Sequence, residues 1–320
     1  AQMNGAVILN YTRVTGLIRS EDDRTTGVRV EDTLTGDTHD IAAHAVINAT
    51  GPWSDRTRAL RGKEAPSRLR PTKGIHIVVD VERLKVKNAV VCFHPEDGRV
   101  LFAIPWGQRT YIGTTDTDFQ GDPADVGADG SDVRYLLDAA NHYFPEANLI
   151  PEDVISTWAG VRPLIAEESE GNESSVSREH EIRIDSDGLI TIAGGKLTTY
   201  RRMAAEVVDK ALGLLMLMGH SPSKISPART DTTPLPGADG WPRDDDPTPV
   251  IQKAMEVGQG KISEATARIL VENYGTRALQ LAAMAAAEPS MAELLVPGRP
   301  EIMAQVRFAM RTGWISAWPM

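Results

Sequence analysis

The sequence is poor in cysteine, in positive charge and in long apolar runs, and each shortage excludes something. Cys92 is the single cysteine among 320 residues. That rules out an intrachain disulfide framework, leaves no thiolate set for a structural metal, and fits a reducing, intracellular setting. Residues 211–218 form the longest uncharged apolar stretch and include Gly213, far short of the roughly 18–20 residues a membrane-crossing helix needs. Lys and Arg total 34 against 44 Asp and Glu, a net charge of −10, which excludes a free-standing basic nucleic-acid binder. No cationic segment leads into an apolar core near the start, so no signal peptide is visible. The sequence begins with Ala1 rather than Met and is expected to be a piece of a longer chain.

What is present is ordinary for a folded protein: 41% apolar and 24% charged residues, at a length that supports one large domain or two moderate ones. Short β-branched runs at 6–10, 14–20, 26–33 and 38–43, separated by Gly, Asp and Asn, predict an antiparallel meander. An apolar strand then enters the turn Ala49-Thr-Gly51, with Ser54 or Asp55 as N-cap of a short helix to Leu60. Strands are predicted at 74–81, 89–93, 100–106 and 110–115, a helix at 131–144, a strand at 154–161, and a hairpin of 182–184 with 189–193. Residues 197–217 carry apolar residues at helical spacing (Ala204, Val207, Val208, Ala211, Leu212, Leu215). Residues 219–249, with seven prolines and an acidic run at 244–246, read as a linker. Beyond it come helices near 250–257, 263–273, 277–287 and 301–311. The domain expectation is therefore 1–65, 66–184, 185–218, the linker 219–249, and a small helical domain over 250–320.

The seven histidines include no H-E-x-x-H pair, and no G-x-S-x-G elbow occurs, so neither a zincin-type metal site nor a serine-hydrolase elbow is expected. Gly194-Gly-Lys-Leu-Thr-Thr199 looks like a P-loop but has Leu197 after Lys196 and Ile190 where the first Gly belongs. It does place two glycines between a strand and a helix start, where free N–H groups and the macrodipole favour a negative group. Lys196, Arg201 and Arg202 sit there against the dipole. They either serve a ligand or reach solvent or Glu206. Arg162, inside the apolar run Ala159-Gly-Val-Arg-Pro-Leu164, needs a partner: Glu167 or Glu168 in a structural pair, or an anionic ligand gripped bidentately. His76 interrupts an apolar strand either as a satisfied core residue or as a general base.

The blocks Val46-Ile-Asn-Ala-Thr-Gly-Pro-Trp53, Lys73-Gly-Ile-His-Ile-Val-Val79, Ile104-Pro-Trp106, Ile112-Gly-Thr-Thr-Asp116, Gly160-Val-Arg-Pro-Leu164 and Gly194-Gly-Lys-Leu-Thr-Thr-Tyr-Arg201 together resemble FAD-dependent glycerol-3-phosphate dehydrogenase, in order and spacing, over residues 1 to about 215. The resemblance implies an α+β and α/β flavoprotein: part of a Rossmann-like, glutathione-reductase-type FAD-binding region, an antiparallel-sheet substrate domain, and a small all-α C-terminal domain. It implies oxidation of sn-glycerol 3-phosphate to dihydroxyacetone phosphate, with FAD as cofactor, a quinone as electron acceptor and no metal. His76, Arg162 and Lys196 would be catalytic, and Arg162, Lys196 and Arg201 would hold the substrate phosphate. Ala49, Thr50, Gly51, Gly194, Gly195, Lys196, Leu197 and Thr198 would line the cofactor. A cytoplasmic enzyme, peripheral on the inner face of the cell membrane, is expected, with homo-oligomerisation open. Two departures stand against the likeness: the sequence has no strand, G-x-G-x-x-G and helix to seat the FAD pyrophosphate, and residues 312–320 do not continue the expected final helix. The alternatives are an amino-acid or amine oxidase, whose Arg would clamp a carboxylate, and a non-catalytic flavoprotein fragment.

Overall fold

The computed structural model describes residues 4–62, 67–166, 179–220 and 226–312. One compact unit takes Tyr11–Ile225, and a second takes the described residues before Tyr11 and from Ser226 onward.

The meander forms first, with β1 (Thr12–Arg19), β2 (Thr25–Asp32) and β3 (Thr38–Ala42) in the order β1-β2-β3. Val14 pairs with Val30, and Val28 with both Leu17 and Ile41. The strand expected at 6–10 is not formed, and Val7 stands 84% exposed. A β-branched run has the propensity, but no strand among the described residues pairs with it to form a sheet ladder. Next, β4 (Ile47–Asn48) leads through a 3₁₀ turn, Gly51–Trp53, into α1 (Ser54–Ala59). Neither Ser54 nor Asp55 is its N-cap; Trp53 holds that place without a side-chain bond. Asp55 instead accepts from the N–H groups of Arg68 and Leu69 at 2.8 and 3.1 Å, so its carboxylate ties down the entry to the next strand.

The large sheet comprises β5 (Leu69–Asp80), β6 (Val90–Phe93), β7 (Val100–Trp106), β8 (Arg109–Gly113), β9 (Thr117–Asp118) and β10 (Val154–Ile165), with order β10-β5-β8-β7-β6 and β9 paired to β5. Side chains alternate across a strand. One face of β5 therefore carries Ile75, Ile77 and Val79, all 0% exposed, which pack with Leu101, Ala103 and Ile112 against Leu136, Leu137 and Ala140 of α2 (Gly130–Tyr143). Each such side chain contributes roughly 1.5–3 kcal/mol. Asp129 caps α2 by accepting from Ser131 and Asp132 N–H. Lys73, on the same β5 face, reaches Asp129 and Asp132 at 3.0 and 2.6 Å and fixes the helix on the sheet. Cys92 is buried in this core, and burial raises its thiol pKa.

The chain returns through β11 (His180–Ile184) and β12 (Ile190–Gly194), and β12 pairs in parallel with β4. Helix α3 (Tyr200–Leu217) follows a 3₁₀ turn, Leu197–Thr199. Its buried stripe is Val207 and Ala211 with Met203 and Leu214 packed beside them, whereas Val208 is exposed. Beneath these elements Arg58 and Arg61 reach Asp185 at 3.3 and 3.1 Å. Burial alone would raise the Asp185 pKa, but Arg58, Arg61 and Arg183 bring it below the usual value.

The second unit contains α4 (Thr248–Val257), α5 (Glu264–Tyr274), α6 (Ala278–Ala287) and α7 (Met303–Arg311), close to the predicted spans. Its core joins Ala254, Ala267, Leu270, Leu281, Ala282 and Ile302. The stretch read as a linker is tied to this unit where it is described. Trp241 packs on the core, and the Thr276 N–H donates to Gly237 at 2.9 Å. Gly258-Gln-Gly-Lys, the string nearest to a dinucleotide fingerprint, is the α4–α5 connection and not a strand-to-helix turn.

Candidate active site

The face of the large sheet opposite α2 gathers the chemistry. Cross-strand register sets Trp158 beside His76, Gly160 beside Gly74 and Arg162 beside Thr72, with Gly113 on the other side of His76. His76 and Arg162 thus project from adjacent strands onto one face. The His76 ring lies 5.1 Å from Trp158 and 5.9 Å from Tyr111, centroid to centroid. Both polar residues lie over glycines. A Cβ on Gly74 would come within 2.2 Å of the Arg162 guanidinium, and one on Gly113 within 2.2 Å of the His76 ring. Glycine inside a strand marks such close approach. Burial, and then the Arg162 charge, hold the His76 pKa below its ordinary 6.5. Both effects favour the neutral imidazole, the form able to accept a proton.

Of the two readings for Arg162, its carboxylate partners Glu167 and Glu168 lie outside the described residues. Within them, Nη1 donates to Asp116 Oδ1 at 3.1 Å, and Nη2 donates to Thr114 Oγ1 at 3.0 Å and to the Thr115 carbonyl at 3.1 Å. Asp116 and Thr114 lie in a block whose likeness was legible, but their partnership with Arg162 depends on the β8–β9 connection coming back to β5, which spacing cannot show.

A second constellation is made by two turns. β4 and β12 run parallel with Ile47 beside Ile190, so Ala49-Thr-Gly51 and Gly194-Gly-Lys-Leu-Thr198 both leave the carboxyl ends of neighbouring strands, the edge where α/β sheets bind ligands. The Asn48 side chain donates to Ser54 O at 3.0 Å and accepts from Thr50 Oγ1 at 2.7 Å, which sets the first turn. Gly194 and Gly195 both have positive φ, and a Cβ on Gly195 would strike Met203 Sδ at 2.6 Å. The first helical donor is Thr199, to Lys196 O at 3.0 Å. The N–H groups of Leu197 and Thr198 precede it in the unpaired first turn. This donor set, on an exposed turn with Leu197 turned to solvent, fits a negatively charged or hydrogen-bond-accepting group of a bound cofactor. The sequence offers no corresponding G-x-G-x-x-G element for a pyrophosphate.

β10 lies against both β12 and the Gly51–Trp53 turn, and a Cβ on Gly194 would sit 3.2 Å from Ile165 at its end. The strand carrying Arg162 thus borders the second constellation. Lys196 and Arg201 are exposed, and no partner pairs with either among the described residues. Arg202 has the bland role foreseen for it, 2.7 Å from Glu206, which His180 also reaches at 2.7 Å.

The description of FAD dependent oxidoreductases matches residues 1–201. The chain belongs to this family. Its fold, a mixed-sheet FAD-binding region with an antiparallel sheet and a helical C-terminal unit, is the one expected from the sequence, and residues 228–315 match the C-terminal domain of alpha-glycerophosphate oxidase. The aerobic glycerol-3-phosphate dehydrogenase of Staphylococcus haemolyticus is 43% identical over 239 residues, 75% of this chain and 42% of the relative. That of Staphylococcus saprophyticus is 38% identical over 281 residues, 88% of this chain and 50% of the relative. The crystal structure of a glycerol-3-phosphate dehydrogenase from Bacillus halodurans complexed with FAD is 34% identical, with a TM-score of 0.77, and the match covers 96% of this chain and 58% of that one. The chain spans about half the length of the curated relatives it matches. No helix among the described residues is long and apolar enough to cross a membrane.

Proposed function

We propose that this chain forms the substrate-handling part of an FAD-dependent glycerol-3-phosphate dehydrogenase, which oxidises sn-glycerol 3-phosphate to dihydroxyacetone phosphate. The observation that carries the reading is the placement of a neutral-poised His76 and a held Arg162 on one open sheet face, in a chain 38–43% identical to enzymes of that name.

Arg162 holds the phosphate, as a planar guanidinium suits a multidentate oxyanion. Lys196 and Arg201 add charge at the α3 end. His76 accepts the proton of the C2 hydroxyl as C–H cleavage proceeds. Ala49, Thr50 and Gly51 with Gly194, Gly195, Leu197 and Thr198 hold the cofactor, and the helix start and Lys196 stabilise negative charge placed beside them. FAD, when bound, supplies the two-electron acceptor. A quinone as onward acceptor, a peripheral site on the inner face of the cell membrane and self-association complete the reading, all three by likeness to the family.

The test is a substrate panel on the purified protein supplied with FAD. Anaerobic bleaching of the flavin absorption by glycerol 3-phosphate, and not by glycerol or glycine, is the expected result. Bleaching by a glycine-type amine instead, or a preparation that stays colourless with added FAD, overturns it.

A further inference from the structure

We propose that Asp116 is a positioning residue, which holds the Arg162 guanidinium flat over Gly74 so that its outer edge faces the substrate phosphate. The inference rests on the reading of Arg162 above and goes beyond it by naming what aims that side chain.

Among the described residues, the Asp116 carboxylate, the Thr114 hydroxyl and the Thr115 carbonyl hold the guanidinium. All three come from the loop that follows β8. The loop is itself pinned. The Ile75 N–H donates to Thr115 Oγ1 at 3.0 Å, and Arg99, from the β6–β7 turn, donates to the Asp116 carbonyl oxygen. Arg99 is in turn within 3.5 Å of Asp97, which accepts from the Tyr135 hydroxyl of α2 at 2.9 Å. The orientation of Arg162 is thereby referred back to the helix-backed core. A long side chain with several free torsions gains direction only from such supports.

The pair is asymmetric. The Asp116 side chain is 8% exposed and that of Arg162 25%. The carboxylate lies behind and the cation in front. An ion pair built only for stability has no reason to leave its cation in the open face beside His76, whereas one built to present a guanidinium does. Gly74 completes the cradle, since any Cβ there would occupy the guanidinium's place.

The experiment uses the full chain with FAD and compares Asp116→Asn, which keeps shape and one acceptor while removing the charge, with Asp116→Glu, Arg162→Ala and the Asp116→Asn/Arg162→Ala double variant. Affinity for glycerol 3-phosphate is measured by calorimetric titration, and KM and kcat are measured separately. Asp116→Asn should weaken glycerol 3-phosphate binding and raise its KM by about 10- to 100-fold, the scale of one charge-assisted hydrogen bond, with a much smaller change in kcat. Added to Arg162→Ala it should change nothing further, because there is no guanidinium left to aim. Asp116→Glu should recover part of the loss. Additive effects of the two substitutions, or an unchanged affinity and KM in a folded Asp116→Asn protein, overturn the proposal. If glycerol 3-phosphate binds through Arg162 and Asp116 but is not oxidised, the reaction reading fails and the positioning role stands. If it is oxidised normally by Asp116→Asn, the positioning role fails and the reaction reading stands.

Discussion

The two faces of β5 differ by one residue of register and by everything else. Ile75, Ile77 and Val79 point toward α2 and are fully buried, while Gly74 and His76, between and beside them, belong to an open face shared with Trp158 and Arg162. The strand separates two demands that conflict when mixed. Apolar packing lowers the free energy of the fold without constraint on chemistry, and a half-buried imidazole and guanidinium serve chemistry at some expense in desolvation. Because the side-chain period is two, the separation needs no extra elements. It also predicts that substitutions on the two faces have different signatures.

The largest effect expected is on the open face. His76→Ala should lower kcat by about 10²–10⁴ if His76 is the base, with little change in thermal unfolding, and a loss below tenfold would return His76 to a packing role. The pH dependence has a definite sign. Neutral His76 is the competent form and its pKa is lowered by burial and by Arg162, so activity falls as pH drops through a value below 6.5. The same lowering means that its contribution to stability is present above 6.5 and lost on the same acid limb. On the buried face Ile77→Ala should reverse the pattern. It should destabilise by about 2–5 kcal/mol through lost burial and a cavity, read by denaturant unfolding, with KM unchanged in the protein that remains folded. A large kinetic defect in Ile77→Ala, or a large stability loss in His76→Ala, breaks the separation.

A smaller effect is expected at Gly74. The atom that a new Cβ would strike is the flexible end of Arg162, so Gly74→Ala can be accommodated by swinging the guanidinium away. KM for glycerol 3-phosphate should rise about tenfold, within the range that misplacing a binding group costs, while circular dichroism stays unchanged. An unaltered KM would mean that the observed guanidinium position is not the one used.

Most of this architecture was legible because it is local. The strands predicted at 100–106 and at 110–115, the latter ending at Gly113 in the fold, and the helices beyond residue 250 follow from β-branched runs, turn residues and helical spacing. Where a partner was needed, locality failed. Residues 6–10 have a strand's composition and no ladder among the described residues, and β9, two residues long, is too short to show a period. For the site, the need of Arg162 for a partner was evident, but that Asp116 is one could not be read without knowing that the β8–β9 connection returns to β5, and Glu167 and Glu168 lie outside the described residues. The purpose of Gly74 and Gly113 was hidden for the same reason, since a glycine in a strand signals close approach but not of what.

The smallest effect, and the sharpest test of the open face, is expected at Gly160, cross-strand partner of Gly74. The two glycines face the same side, yet one is covered by Arg162 and the other has nothing among the described residues within 4 Å of where a Cβ would stand. Gly160 also sits between Trp158 and Arg162 on the open face of β10, beside the strand that carries the proposed base. Gly160→Ala should therefore stabilise the free protein slightly, by about 0.4–1 kcal/mol, because the unfolded chain loses freedom and no clash opposes it. It should at the same time raise KM for glycerol 3-phosphate by about threefold to tenfold, since the methyl enters the space the substrate's carbon chain would cross. Opposite signs in the two readouts separate a vacant surface from a substrate path: a stabilised protein with unchanged KM would move the substrate off this part of the sheet.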